Sequence, residues 1–235
     1  MKTPLTAIAL LSGGAAQGLV DALLEQVTAQ CLLVRGTFGA VGLMRDQLLA
    51  GAACDVFIST ASMLSDLAQH GHLDASSIRP LGRVATGIAV QKSRLAPHVA
   101  DADSLRAALL AAPEVHCPDT RQSTAGIHFA QVLRNLGIEG PLAARLHTHP
   151  NGMTAMRAVA ASSASGALGC TQITEILHTP GVQYAGDLPE GFGLHTVYAA
   201  AAVQASQQAQ AARRFLELLC GATSLPERKR CGFVA

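Results

Sequence analysis

Hydroxyl groups lie between an apolar run and an amphipathic run at residues 119–126, which read Asp-Thr-Arg-Gln-Ser-Thr-Ala-Gly. A strand followed by a helix is expected here, so that Ser123, Thr124 and the N–H of Ala125 would lie at the helix start. Open backbone N–H groups and the positive end of the helix dipole favour an anion at such a position. The stretch therefore predicts an anion site, although Ser and Thr are also common N-caps of helices in general.

The same order of apolar run, polar turn and helix recurs along the chain. Repeated β-α units imply right-handed crossovers and a parallel sheet, and ligands bind at the carboxyl ends of the strands in such sheets. The recurring turns place eight more candidates for ligand binding at strand ends: Ser12, Gly13, Thr37, Ser59, Thr60, Asn151, Thr171 and Gln172.

Two long extended runs, at residues 84–90 and 194–202, interrupt this alternation and are interpreted as crossings between two lobes. The predicted fold class is α/β, with residues 1–83 and 194–235 in lobe 1 and residues 84–193 in lobe 2. Each lobe is expected to be a mostly parallel sheet flanked by helices. Two crossings form a hinge, and hinge closure over a ligand in the cleft between the lobes would expel water.

Local patterns give further expectations for single elements. Residues 36–42 are predicted as a glycine-rich loop, residues 142–146 as a strand and residues 153–160 as a helix. His147 and His149 then alternate at a strand end, so that one is expected to face the cleft and the other solvent.

Composition excludes several classes of partner. The chain has 235 residues, 17 basic and 16 acidic side chains, a formal charge of +1 and 3% aromatic residues. Neither a nucleic-acid groove nor a basic membrane surface is indicated. No apolar run reaches the ~20 residues of a membrane span. The six cysteines have no C-x-x-C pair and are expected to be free thiols, and neither a metal ion nor a cofactor is predicted.

The N-terminal apolar run at residues 5–11 is interpreted as a first strand and not as a signal sequence. A cytoplasmic protein is therefore predicted. A periplasmic location would follow if a leader had been removed, and an ABC permease would be a partner only in that case.

Several short segments carry a resemblance to a known family: Gly39-x-x-Gly42 with the following residues 49–51 and 55–59, then residues 125–127, and finally residues 166–175. Taken in order, they resemble the molybdate-binding-protein-like branch of the type 2 periplasmic-binding-protein fold over nearly the whole chain. The resemblance implies a two-lobed fold that holds a tetrahedral oxyanion with neutral donors. These would be the hydroxyls of Ser12 and Ser59 and the backbone N–H groups at Ala125 and near Arg157.

One departure from the family pattern bears on the ligand. Thr174 and Glu175 align with a Thr-Asp pair of the molybdate binders, which places Gln172 where those proteins have a Tyr. An amide both donates and accepts hydrogen bonds, so a carboxylate fits at least as well as molybdate.

Aconitate-isomerase-type enzymes share this fold, and the leading interpretation is a cytoplasmic isomerase of a small unsaturated polycarboxylate. The alternative is a solute-binding protein of an ABC transporter for molybdate, another oxyanion or a carboxylate, or a cytoplasmic sensor. Isomerisation requires a base at the allylic carbon and donors that stabilise a dienolate-like intermediate. The candidate catalytic residues are His149, His147, His128 and Glu175, and the position of His128 between Ile127 and Phe129 favours a packed or capping role.

Overall fold

Nine strands, eleven α-helices and three short 3-10 helices occur in residues 5–234, the part of the chain that the computed structural model describes. The strands are β1 (Thr6–Gly13), β2 (Leu32–Gly39), β3 (Val56–Thr60), β4 (Arg79–Gln91), β5 (Val115–Pro118), β6 (Leu146–His149), β7 (Leu168–Gln172), β8 (Val182–Asp187) and β9 (His195–Ala202). The helices are α1 (Gln17–Ala22), α2 (Leu24–Ala29), α3 (Val41–Leu49), α4 (Ala61–Gln69), α5 (Ala102–Ala111), α6 (Thr124–Asn135), α7 (Glu139–Leu142), α8 (Gly152–Ala161), α9 (Ile173–His178), α10 (Ala209–Cys220) and α11 (Leu225–Arg230).

The chain divides into two compact units. Unit 1 consists of Met1–Arg83 and Thr196–Ala235, and unit 2 of Val84–His195. The second boundary thus lies two residues beyond the position expected from the sequence. The chain passes from one unit to the other twice, within β4 and near the start of β9.

Unit 1 contains the sheet β2-β1-β3-β9, in which β9 is antiparallel to β3 and the other pairs are parallel. Val56, Phe57 and Ile58 of β3 are all fully buried. An uninterrupted apolar run of this kind is typical of a parallel strand that is covered by helices on both faces.

Unit 2 contains the order β8-β4-β7-β5-β6. The pairs β5–β6 and β5–β7 are parallel, whereas β4 pairs antiparallel with both β7 and β8. The α/β prediction is confirmed, but the sheet of unit 2 is mixed. The strand β8 was not predicted, and β4 runs opposite to the strands of the β-α units.

Helix α6 illustrates how the sequence positions a helix start. Ala125, Phe129, Val132 and Leu133 are buried, at spacings that form one apolar stripe on a helix. Phe129, Val132 and Leu133 pack in the same core cluster as Val115 and Cys117 of β5. The stripe therefore fixes the first turn of α6 against the carboxyl end of the strand that precedes it.

Two element predictions are wrong. Residues 36–39 continue β2, because this strand pairs with β1 as far as the Gly13–Gly39 partners. The predicted strand at 142–146 is instead helix α7 followed by β6. Leu142 is buried at the end of a helical turn, and β6 extends to His149 because it pairs with β5 along its whole length.

All six cysteines are free thiols, as the sequence predicts. Within the described residues, no helix has both the length and the apolar character needed to cross a membrane.

Candidate functional site

The strand ends of unit 1 bring Ser12 and Ser59 to one edge of the sheet. The parallel strands β1 and β3 are neighbours, with Ser12 in register with Ile58. Both serine side chains are fully buried. Ser12 Oγ donates to the Gly13 carbonyl at 2.9 Å, and Ser59 Oγ donates to the sulfur of Met63 at 3.1 Å. A thioether is a weak acceptor, so the Ser59 hydroxyl can exchange this contact for a better one.

The other candidates of unit 1 have different environments. Thr60 is the N-cap of α4 and accepts from the Met63 N–H at 3.3 Å. Thr37 is exposed within β2 and does not lie in a turn after it, as was expected. A Cβ on Gly13 would lie 3.2 Å from the ring of Tyr198. Tyr198 is buried in β9 opposite Thr60, and sequence reasoning missed it because it lies in a run interpreted only as a crossing.

In unit 2, hydrogen bonds from backbone N–H groups to Asp119 stabilise the loop before α6. The Asp119 carboxylate accepts from the backbone N–H groups of Arg121 and Gln122 at 2.7 and 2.8 Å. A Cβ on Gly126 would collide with the backbone oxygens of Pro118 and Asp119. Glycine at position 126 therefore allows the loop to cross closely over the first turn of α6.

Ser123 occupies the N-cap position of α6 with an extended backbone, φ −96° and ψ 131°. In the described part of the chain its side chain makes no capping hydrogen bond. The Ser123 hydroxyl therefore does not serve as a conventional N-cap of α6. The helix start retains donors for another acceptor, because the first-turn N–H groups have no partner within the helix.

The start of α8 differs, because a side chain already occupies it. Burial raises the pKa of the Glu175 carboxyl to about 7, against hydrogen bonds from Thr171 and from the backbone N–H groups of Met153, Gln172 and Gly152. Thr171 Oγ1 donates to Glu175 Oε2 at 2.6 Å. The carboxyl group thus lies at the positive end of the α8 dipole, where it completes the first turn of that helix.

Asn151 is the N-cap of α8 and accepts from the N–H and the hydroxyl of Thr154 at 2.9 and 3.0 Å. The expected backbone donor near Arg157 is not present, because Arg157 lies inside α8, beyond the first turn. The backbone donors at this helix start belong to Gly152 and Met153 instead.

Two threonines of unit 2 were absent from the sequence-based site. Thr86 of β4 is 1% exposed and Thr174 of α9 is 3% exposed. Neither Oγ1 has a hydrogen-bond partner among the residues that the structure describes. A polar residue at position 86 within the apolar run 84–90 was the only available signal, and only the antiparallel pairing of Thr86 with Gln172 places it at the end of β7.

The two histidine candidates on β6, His147 and His149, both contact His116 on the neighbouring strand β5. His116 Nδ1 lies 3.0 Å from His149 Nε2, and its ring stacks on that of His147 with centroids 5.0 Å apart. His116 Nε2 lies 3.2 Å from Glu114 Oε2, which also accepts from the Ser162 hydroxyl at 2.6 Å. We refer to Glu114, His116, His147, His149 and Ser162 as the histidine cluster.

The expectation that His147 and His149 face opposite ways is wrong. Residues two apart on a strand project from the same face, and here both rings contact His116. His128 is also engaged, since its Nε2 lies 2.6 Å from the Phe192 carbonyl. A carbonyl only accepts, so this nitrogen carries the proton and is not a free base.

The histidine cluster predicts a loss of stability in acid. Burial lowers the pKa of His116, opposed by Glu114, and burial together with the charges of His116 and His147 lowers that of His149. The stability associated with the neutral rings is present above the usual histidine pKa and is lost as pH falls through the lowered values. Urea unfolding at pH 7.5 and 5.5 should show that the stability of His149→Asn relative to the wild type is greater at the lower pH, because the contribution of Glu175 is common to both proteins. The exposed His72→Asn serves as the control, and equal changes with pH in all three proteins would contradict the prediction.

A cavity of about 470 Å³ in unit 1 lies among Ser77, Arg79, Arg213 and Cys220. Its arginines already have partners. Arg79 donates to the Ser76 and Ile78 carbonyls at 2.8 and 2.9 Å, and Arg213 lies 3.5 Å from Asp74. None of the residues predicted to bind a ligand lines this cavity. Among residues 5–234, no group of three or more His, Cys, Asp or Glu side chains could hold a metal ion.

Comparison with known proteins relates this geometry to a fold. The periplasmic molybdate-binding protein of Azotobacter vinelandii superposes with a TM-score of 0.78 at 18% identity, over 97% of this chain and 99% of that one. A sulfate-binding protein of Mycobacterium tuberculosis gives a TM-score of 0.75 at 16% identity, over 97% and 86% of the two chains. The predicted type 2 periplasmic-binding-protein fold is therefore confirmed.

Sequence comparison gives two further matches. A Pseudomonas protein named aconitate isomerase is 25% identical over 230 residues, which cover 92% of this chain and 83% of that protein. A family model described as bacterial extracellular solute-binding protein matches residues 8–233. Because that match spans nearly the whole sequence, the chain belongs to the family of bacterial extracellular solute-binding proteins.

Proposed function

We propose that this protein binds a small di- or tricarboxylate through the strand-end residues described above. The observation that carries the proposal is the start of α6, where the Ser123 hydroxyl makes no capping hydrogen bond among the described residues. Hydroxyl and backbone donors at a helix start can replace the water around an anion with charge-assisted hydrogen bonds. Within unit 1, the buried Ser12 and Ser59 hydroxyls lie at the ends of neighbouring strands and are also proposed as donors to a small anion.

Two features of unit 2 favour a carboxylate over a tetrahedral oxyanion. The N–H groups at the start of α8 are hydrogen-bonded to Glu175, so one helix start is already occupied by an internal carboxyl group. Gln172 supplies an amide at the end of β7, at the position that aligns with a Tyr in the family pattern. An amide can accept from a ligand hydroxyl or a protonated carboxyl as well as donate to a carboxylate.

A thermal-shift screen tests the proposal with citrate, tricarballylate, cis-aconitate, trans-aconitate, molybdate and sulfate. A ligand present at 100 times its Kd should add about 2.7 kcal/mol of stability. In a chain of this size such a gain raises the Tm by roughly 5–10 °C. A shift with molybdate or sulfate alone would make the carboxylate proposal wrong, and no shift with any of the six would make anion binding wrong.

Thr124→Val is expected to weaken binding of the carboxylate found in that screen about tenfold. The substitution removes one hydroxyl at the start of α6, and a hydrogen bond to a charged group contributes about 1.5–3 kcal/mol. Isothermal titration calorimetry measures the change in Kd. Thr28→Val is the matched control, because Thr28 is exposed on α2 and donates only to the Leu24 carbonyl at 2.9 Å. Equal affinities of the Thr124 variant and the control would remove Thr124 from the site.

Isomerisation of the bound carboxylate is a second candidate function. Its support is the pKa of about 7 for Glu175, which suits a group that takes and returns a proton at neutral pH. The Pseudomonas relative named aconitate isomerase adds to this support. In such a reaction a proton leaves one carbon of the allylic system and another is added at its far end, so no oxidant or cofactor is required.

Proton NMR of the protein with trans-aconitate tests catalysis directly. Signals of the cis isomer should grow in with time, and in D₂O deuterium should enter the product. Binding of trans-aconitate without conversion would leave a solute-binding or sensing role, with delivery to an ABC permease if the protein is exported. A cytoplasmic location stays a prediction, which cell fractionation can test.

A further inference from the structure

Thr86 and Thr174 have buried hydroxyl groups that make no hydrogen bond within the described part of the chain. Both side chains are at least 97% buried, and their Oγ1 atoms have no partner among the described residues. A buried polar group without a hydrogen bond is costly and is rare in native structures, so each such group requires an explanation. A nearby threonine shows the usual arrangement, because the Thr171 hydroxyl donates to Glu175 at 2.6 Å.

The two hydroxyls belong to one edge of the unit 2 sheet. Thr86 is in register with Gln172, the last residue of β7, and Thr174 follows two residues later in α9. The neighbouring parallel strand β5 ends at Pro118 and leads to the start of α6. The unpartnered hydroxyls and the Ser123–Ala125 donors thus lie at the edge of the sheet where β5 and β7 end, and the antiparallel strand β4 brings Thr86 to that edge.

We propose that Thr86 and Thr174 hydrogen-bond a second polar group of the ligand whose first carboxylate is held at the start of α6. The inference rests on the proposed function and deepens it by naming the residues that distinguish a ligand with a second polar group. The chain would select di- or tricarboxylates over anions whose oxygens all surround a single atom.

The spacing of the strands supports the assignment of two separate polar groups of the ligand to these two sets of residues. Strand β7 lies between β4, which carries Thr86, and β5, which leads into α6. Adjacent strands are about 4.8 Å apart, so the two strands are separated by roughly 10 Å. A tetrahedral oxyanion presents all of its oxygens around one centre and fits donors that converge on a single point better than donors on separated strands. A polycarboxylate carries carboxylates several bonds apart and can reach toward both.

Thr86→Val and Thr174→Val test the inference through two effects of opposite sign. Removing an unpartnered buried hydroxyl should leave the Tm of the ligand-free protein unchanged or raise it by about 2–4 °C. The same substitution should raise the Kd for tricarballylate about tenfold, since the ligand loses a hydrogen bond. The affinity for acetate, which has one carboxylate, should change less than twofold. Thr171→Val is the structural control and should lower the Tm, because its hydroxyl has a protein partner.

Each other outcome overturns the inference. A lower Tm for both threonine variants would show that their hydroxyls stabilise the protein through partners of its own. Equal Kd values for tricarballylate in the variants and the wild type would remove both residues from the site while leaving the proposed function intact. Equal weakening of acetate and tricarballylate binding would show that Thr86 and Thr174 do not bind a second polar group of the ligand. If wild-type protein binds no carboxylate at all, the proposed function is wrong and this inference with it.

Discussion

Gly126→Ala is expected to cost about 3 kcal/mol of stability and to abolish carboxylate binding. The added Cβ would collide with the backbone oxygens of Pro118 and Asp119. Pro118 ends a strand that is paired on one side with β6, and the Asp119 carbonyl accepts from the Ser123 N–H at 3.1 Å. Neither oxygen can move without disturbing the helix start that the proposal assigns to the ligand.

Urea unfolding followed by circular dichroism measures the loss of stability. Gly140→Ala is the control, since a Cβ there meets no heavy atom within 4 Å and the residue also lies in a helix. The control should stay within about 0.5 kcal/mol of the wild type. If Gly126→Ala were as stable as Gly140→Ala, the close crossing of the loop over α6 would be wrong.

Glu175→Gln is expected to change how stability depends on pH. The pKa of Glu175 rises from 4.5 to about 7 because of burial. The stability associated with its protonated form is fully present below pH 4.5 and is lost as pH rises through 7. At about 1.4 kcal/mol for each tenfold change in the equilibrium constant, that loss amounts to roughly 3 kcal/mol. A glutamine does not titrate, so the variant should lack this loss.

The measurement is the difference in unfolding free energy between wild type and Glu175→Gln at pH 4.5 and pH 8. The wild type should lose roughly 3 kcal/mol relative to the variant over this interval. The opposite slope of the histidine cluster is common to both proteins and cancels in the difference. The exposed Glu190→Gln is the control. A difference that stays constant with pH would show that Glu175 does not titrate near neutrality.

Local sequence patterns predicted the helix starts and strand ends, because interactions between residues close in sequence determine these positions. The start of α8 was predicted within one residue, and that of α6 was placed among the hydroxyl residues before its amphipathic run, because a polar residue precedes such a run in both places. The carboxyl ends of β1 and β3 were also predicted to carry Ser12 and Ser59, since an apolar run followed by a hydroxyl residue marks a buried strand and its end.

Contacts between distant residues were not predicted. Thr86 reaches the strand end only because β4 pairs antiparallel with β7, and single-sequence patterns do not specify strand partners. The placement of the Glu175 carboxyl against the start of α8 requires glycine at position 152, where any Cβ would collide with it. The stack of His116 on His147 follows from the register of β5 and β6, a register that the sequence did not reveal.

Glu175 connects the two candidate functions of the protein. As a cap of α8, it gives unit 2 an internal carboxyl group at the start of that helix. As a group that titrates near pH 7, it is also suited to proton transfer. The two roles require different contacts of the Glu175 carboxyl group. As a cap it needs only hydrogen bonds to the start of α8, whereas as a base it must also contact the ligand.

A crystal structure of the protein with tricarballylate tests the central claim most directly. The account predicts a carboxylate of the ligand within hydrogen-bond distance of the Ser123 or Thr124 hydroxyl and of the Ala125 N–H. Tricarballylate bound instead in the cavity lined by Arg79 and Arg213, with the start of α6 in contact only with water, would contradict it.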